Sequence, residues 1–163
     1  MDIFSEEIIK FWTALHNNHV KYIMVGGFAT NLHGFQRYTG DMDILIDDNL
    51  ENRKKLRKAF ADYGMGDFEP IERMQFVPGW TNFYLNNGFV LDLMVPPMKG
   101  LESYSFDDCF NLASIAEIYD MKIPFLHINQ LIANKKAVNR PKDQIDVMEL
   151  EKIKKTGQHT GTD

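Results

Sequence analysis

One segment constrains this chain more than any other. The hydrophobic run Tyr22-Ile23-Met24-Val25 ends in Gly26-Gly27, an apolar-faced stretch with Phe28, Ala29 and Leu32 follows, and Asp41-Met42-Asp43 then opens a second aliphatic run, Ile44-Leu45-Ile46. In order this reads as strand, glycine turn, short helix, strand. Side chains at i and i+2 of a strand point the same way, roughly 6.6 Å apart, so Asp41 and Asp43 share a face. Two acids aimed at one spot, beside backbone N–H groups at a helix start, suit Mg²⁺ and phosphate together. That pairing points to nucleotide chemistry.

The order of these pieces carries the information. An Asp-x-Asp pair alone says little, because chance supplies about one in a chain this rich in Asp. A third acid, Asp92, interrupts the apolar run Phe89-Val90-Leu91-Asp92-Leu93-Met94-Val95. A charge there is costly to bury unless it is paired or holds a metal. The plainer alternative is an alternating strand with Asp92 on its exposed face.

The run Gly26-Gly27-x-Ala29, Leu32-His33-Gly34, Arg37-x-Thr39-x-Asp41-x-Asp43 resembles the minimal nucleotidyltransferases of the DNA polymerase β-like superfamily. Its nearest branch is that of the toxin-type (AbiEii-like) and lincosamide-type small enzymes. Asp92 is similar to that family's third carboxylate. Leu131-Ile132-Ala133-x-Lys135 and Arg140-Pro141-Lys142-Asp143-x-x-Asp146-x-x-x-Leu150 resemble its late Lys and Lys-Asp elements.

The resemblance implies a mixed, twisted sheet with helices mainly on one face, an α/β (α+β) nucleotidyltransferase fold. It implies transfer of a nucleoside monophosphate from an NTP to a hydroxyl, with Asp41, Asp43 and Asp92 holding two Mg²⁺ ions. Gly26, Gly27, Arg37, Thr39, Lys135 and Asp143 are the nucleotide-binding candidates, and spacing to Arg140 selects Lys135 over Lys136. Asp143 and Asp146 remain open between base, ligand and helix-start charge. The acceptor is a small molecule, a protein or a tRNA. A homodimer or a cognate partner protein completes a site that lacks the long C-terminal helical domain of larger relatives. The competing reading is a subunit that binds nucleotide or a partner without turnover, as in a toxin–antitoxin-type system.

Bulk properties limit the remaining classes. The chain's 163 residues, 44% hydrophobic and 25% charged, suit one globular domain over 1–155 with a polar, mobile tail over 156–163. No apolar run nears the roughly 20 residues that span a bilayer, the N-terminus does not read as a signal peptide, and a lone cysteine, Cys109, fits a reducing, cytoplasmic setting. A net charge of −5 argues against broad nucleic-acid binding.

Local patterns predict the rest. Helices are expected over 5–17, 28–34, 49–63, 128–138 and 141–154, with a helical turn at 107–111. Strands are expected at 20–25, 42–47, 81–85, 89–95, 113–119 and 122–126, and Asn86-Asn87-Gly88 reads as a hairpin turn. Residues 67–77 are ambiguous. The basic residues Arg53, Lys54, Lys55, Arg57 and Lys58 read as a solvated helix face opposite Leu50, Leu56, Phe60 and Tyr63. Asp47 and Asp48 read as a helix N-cap pair, Thr39 as a turn residue and His33 as a core histidine. Phe76, Pro78, Trp80 and Phe83 are candidates to border an acceptor pocket.

Overall fold

The strands are arranged as one mixed, open sheet in the order β3-β4-β2-β1-β6-β5. A computed structural model describes residues 5–160, with side chains through 157. Its elements run α1 (Glu6–Asn17), β1 (Tyr22–Val25), α2 (Gly26–Leu32), β2 (Asp41–Ile46), α3 (Leu50–Tyr63), a 3-10 turn (Glu69–Glu72), β3 (Asn82–Tyr84), β4 (Val90–Met94), α4 (Phe106–Leu112), β5 (Ser114–Ile118), β6 (Met121–Phe125), α5 (Ile128–Val138) and α6 (Pro141–Thr160). The expected elements are all present. The ambiguous stretch resolves into the 3-10 turn, and α6 runs past the expected end at 154 into the stretch read as a tail. Residues 1–4 and 161–163 lie outside the described residues.

β1 pairs antiparallel with β2 and parallel with β6, and β2 pairs parallel with β4. Each edge is closed by an antiparallel neighbour, β3 on β4 and β5 on β6. β1 is buried along its whole length, as a central strand covered on both faces should be. Phe11 of α1 meets Phe60 and Tyr63 of α3, and Phe60 meets Phe83 of β3, with centroids 5.1–6.0 Å apart. These tilted and edge-on contacts seat α1 and α3 on the sheet face that carries Phe83.

Two glycines turn the chain where the sequence expects it. Gly64 closes α3 at φ 111° and Gly88 turns the β3–β4 hairpin at φ 84°. The basic segment of α3 differs from expectation. Arg53 is buried: it donates to Asp48 and to the carbonyls of Ile71 and Met74, and it stands 4.0 Å from the centre of the Phe76 ring. Arg57 pairs with Asp67 and Glu72. These arginines are staples that tie α3 to the 3-10 turn and the chain after it, while Leu50 is exposed. The α3 cap is Asn49, whose side chain accepts from the Asn52 N–H, and not the Asp47–Asp48 pair.

Candidate active site

Strand register assembles the acids. Val25 faces Asp43 across β1 and β2, and Asp43 faces Asp92 across β2 and β4. Partners in register share a face, so the carboxylates of Asp43 and Asp92 stand on one side of the sheet, with Asp41 two residues back on the same side. β1 ends in this row, and Gly26 follows directly at φ 62°. A Cβ on Gly26 would lie 2.1 Å from Asp43 Oδ2, so this turn tolerates no side chain. A Cβ on Gly27 would lie 2.5 Å from Thr39 Oγ1. The Thr39 hydroxyl is buried and donates to the Asp41 carbonyl, which fixes the entry to β2 as a turn residue would.

The acids are held in a state that calls for positive charge. Asp92 is 8% exposed; its Oδ2 accepts from the Gly79 N–H at 2.9 Å, and its Oδ1 is buried with no partner. Burial pushes the Asp92 carboxyl up, the Gly79 bond pulls it down, and Asp41 pushes it up again. Asp43 is pushed up to about 7 by burial, by Asp92 and by Asp41, against the pull of Lys135 and Lys142. Among the described residues, no three His, Cys, Asp or Glu side chains stand as a closed metal-binding group. The three carboxylates instead line one wall of a common cavity.

Basic residues line that cavity too, Arg37 from before β2 and Lys135, Arg140 and Lys142 from α5, α6 and the turn between them. Arg37 Nε and Nη2 donate to the two oxygens of Asp146 at 2.7 and 2.8 Å, and Lys135 Nζ reaches the same carboxylate at 2.9 Å. Arg140 donates to Asp143 through its backbone N–H, Nε and Nη2, and Lys135 lies 3.7 Å away. Asp143 and Asp146 are each 1% exposed. Burial opposes their charge, yet Arg140 and Lys135 hold Asp143 below the usual carboxylate range, and Arg37 and Lys135 do the same for Asp146. A carboxylate held this low is a poor proton acceptor. The structure therefore favours the structural reading of this pair over a catalytic base.

The cavity has a volume of about 540 Å³. It brings together every site residue expected from sequence: Gly26, Gly27, Arg37, Thr39, Asp41, Asp43, Asp92, Lys135 and Asp143. It also uses residues outside that set. Gly79 anchors Asp92, Lys99 and Asn134 meet where the Asn134 amide donates to the Lys99 carbonyl, and Met94, Val95, Met98 and Val138 form an apolar wall. Met94 was accessible to sequence reasoning, since it follows Asp92 by two on the same strand. Gly79 was not, because nothing local marks its N–H as a partner for Asp92.

Of the four residues expected to border an acceptor pocket, only Pro78 lines the cavity. Phe76 is in the core under Arg53, and Phe83 packs on Phe60 and Phe68. Trp80 stands in solvent at 83% exposure. His33 hydrogen-bonds the Leu126 carbonyl at 2.8 Å and packs edge-on to Phe125, and burial lowers its pKa, so it serves the core. Cys109 is buried, with its thiol pushed up by burial.

No protein-family model and no curated protein matches the sequence. Solved structures do match the fold. The chain is similar to the lincosamide antibiotic adenylyltransferase LnuA, solved with lincomycin bound, at 19% identity and a TM-score of 0.59, over 91% of this chain and 98% of that one. It is similar to an antigenic nucleotidyltransferase-like protein of Paracoccidioides brasiliensis at 17% identity and 0.54, over 90% and 74%. A candidate nucleotidyltransferase of Thermotoga maritima matches at 16% identity and 0.52, over 96% and 91%. The architecture is thus a six-stranded mixed, open sheet with helices, the fold of these nucleotidyltransferase structures.

Proposed function

We propose that this protein is a Mg²⁺-dependent nucleotidyltransferase that moves a nucleoside monophosphate from an NTP to a hydroxyl acceptor. The observation that carries the reading is the row Asp43–Asp92 beside Gly26, with one buried carboxylate oxygen unpartnered and a basic wall across the same cavity. An unpaired buried acceptor costs about 1–3 kcal/mol, which a cation at that point would recover. Asp41, Asp43 and Asp92 offer the hard oxygen donors that Mg²⁺ prefers, and the unpartnered Asp92 Oδ1 would be the first of them to hold it. Bound there, divalent ions would neutralise the triphosphate and ease ionisation of the acceptor hydroxyl.

The chain's own groups supply the rest. Gly26 and Gly27 leave the turn bare, so phosphate oxygens can approach the backbone closely. The second hydrogens on Arg37 Nη1 and Nη2, together with Lys142 and Arg140, offer positive charge to the triphosphate. The acceptor oxygen forms a bond to the α-phosphorus, the bond from that phosphorus to the bridging oxygen of the β-phosphate breaks, and pyrophosphate leaves with the electron pair. The hydroxyl proton is lost to water as that bond forms. Positioning and charge neutralisation account for most of the acceleration.

The test is incubation with Mg²⁺ and each α-labelled NTP in the presence of candidate acceptors. The wild type should yield labelled acceptor, and Asp43→Asn and Asp92→Asn should each lower the rate by on the order of a thousandfold while the fold is kept. Undiminished turnover in both variants would overturn the reading.

A further inference from the structure

The Asp92 carboxylate meets a single hydrogen-bond donor among the described residues, the Gly79 N–H, and that donor belongs to a closed turn. Thr81 locks the turn twice. Its backbone N–H donates to the Val77 carbonyl at 3.0 Å, and the hydroxyl of this buried residue accepts from the Val77 N–H at 2.6 Å. Both arms are then fixed to the body of the protein. On one side the Thr81 carbonyl accepts from the Leu93 N–H at 3.1 Å, one residue past Asp92 on β4. On the other, Phe76 is buried beneath Arg53, whose guanidinium also holds the carbonyls of Ile71 and Met74.

This arrangement satisfies half of a carboxylate. Oδ2 is held, while Oδ1 is buried and bare. Asp143 and Asp146 are treated otherwise, because both oxygens of each accept from an arginine or lysine. A turn that served stability alone would leave Asp92 with a costly unpaired acceptor. A turn that aims Oδ1 needs one oxygen fixed and the other free. Pro78 and Gly79 line the cavity, so the fixed oxygen is gripped from the cavity's own wall. Gly79 stands at φ 79°, and a Cβ there would meet nothing within 4 Å, so backbone conformation rather than space calls for glycine.

Resting on the nucleotidyltransferase reading, we infer that the Val77–Thr81 turn is a positioning element for the metal site that sets its preference for Mg²⁺ over Ca²⁺. Gly79 grips Asp92 Oδ2, and Thr81 holds the turn shut. Both act through Asp92. Partners behind a metal ligand orient it and tune the ion it takes. Mg²⁺ demands near-ideal octahedral geometry at about 2.0–2.1 Å, while Ca²⁺ accepts longer, variable distances and both oxygens of one carboxylate. A carboxylate pinned through one oxygen presents the other at a set place, which suits the smaller ion. Released from Gly79, the same group is free to offer both oxygens, a mode that Ca²⁺ takes readily.

The experiment titrates Mg²⁺ and Ca²⁺ in separate calorimetric runs into the full chain with a non-hydrolysable NTP at fixed concentration. The Kd of each is read as free ion, and the ion-free Tm is recorded beside it. The wild type should bind Mg²⁺ more tightly than Ca²⁺. Thr81→Val keeps the side chain's shape and removes its hydroxyl; it should raise the Kd for Mg²⁺ roughly tenfold and that for Ca²⁺ less than about twofold. Thr81→Ser should restore both. Gly79→Ala, strained by its positive φ and not by a clash, should shift the ratio in the same direction. A turn with a structural role alone would lower the ion-free Tm of the variants and leave the ratio of the two Kd values at its wild-type value. That result overturns the inference, as does a wild type that binds Ca²⁺ as tightly as Mg²⁺ or a Thr81→Ser that behaves like Thr81→Val. Where Thr81→Val fails to fold, the Gly79→Ala ratio decides. A wild type that binds neither ion in the presence of NTP would instead overturn the underlying reading.

Discussion

The molecule holds two groups of acids in and behind one cavity, Asp146 behind its wall, and treats them in opposite ways. Asp143 and Asp146 are almost wholly buried, yet Arg37, Lys135 and Arg140 satisfy them, and their carboxyls are held low. Asp43 and Asp92 face one another on neighbouring strands with no arginine or lysine among the described residues bonded to either, and their carboxyls are pushed up. The first group is a finished piece of structure, and the second is unfinished in the sense that its countercharges, Lys135 and Lys142, act on it without bonding it. The contrast separates acids that hold the fold from acids kept for a ligand.

Breaking the finished group should cost most. Asp146→Ala leaves Arg37 and Lys135 without their shared partner and should destabilise the protein by about 3–5 kcal/mol in denaturant unfolding. A further Arg37→Met should recover part of that loss, since removing both sides of a buried pair costs less than removing one. If Asp146→Ala proves as stable as the wild type, the network is not structural.

Next in size is the turn between the groups. Gly26→Ala meets both a positive φ and the Asp43 carboxylate, so stability should fall by about 1–3 kcal/mol and turnover should fall with it as Asp43 is displaced. Unchanged activity would mean that Asp43 need not occupy its present position.

The smallest effect is a pH signature. Because the Asp43 carboxyl moves from 3.8 to about 7 on folding, the native protein binds more protons than the unfolded chain between those values. Its contribution therefore turns unfavourable as pH rises from about 4 to about 7, and stays so above. Without metal, Asp43→Asn should be the more stable protein above pH 7, by on the order of 2 kcal/mol after solvent screening, and the advantage should vanish near pH 4. Asp143 and Asp146 act in the other direction: their stabilisation is present above the unfolded carboxylate range and is lost as pH falls below it. A difference between wild type and Asp43→Asn that ignores pH would contradict the assignment.

Much of this was legible in the chain. The β1–Gly26-Gly27–α2–β2 unit announces itself because a period of two and a glycine pair leave few other readings, and the same period puts Asp41 and Asp43 on one face. Asp92 stood out as a charge inside an apolar strand. Long-range pairing was hidden: Arg37 and Asp146 are 109 residues apart, and the packing of α5 against both α2 and α6 brings them together. Arg53 was misread because its charge suggested solvent, while the nearby acid and two free carbonyls of the folded chain made burial affordable. Asn49 outcompeted Asp47 and Asp48 as a cap because its position, one residue before α3, sets the geometry.

The most direct measurement is the thermal unfolding of wild type and Asp43→Asn above pH 7, with Mg²⁺ and a non-hydrolysable NTP added singly and together. Ligand that binds only the folded state raises Tm. Together the two should raise the wild-type Tm well beyond either alone and leave Asp43→Asn nearly unmoved. An equal rise in both proteins, or none in the wild type, would contradict a divalent ion held between β2 and β4.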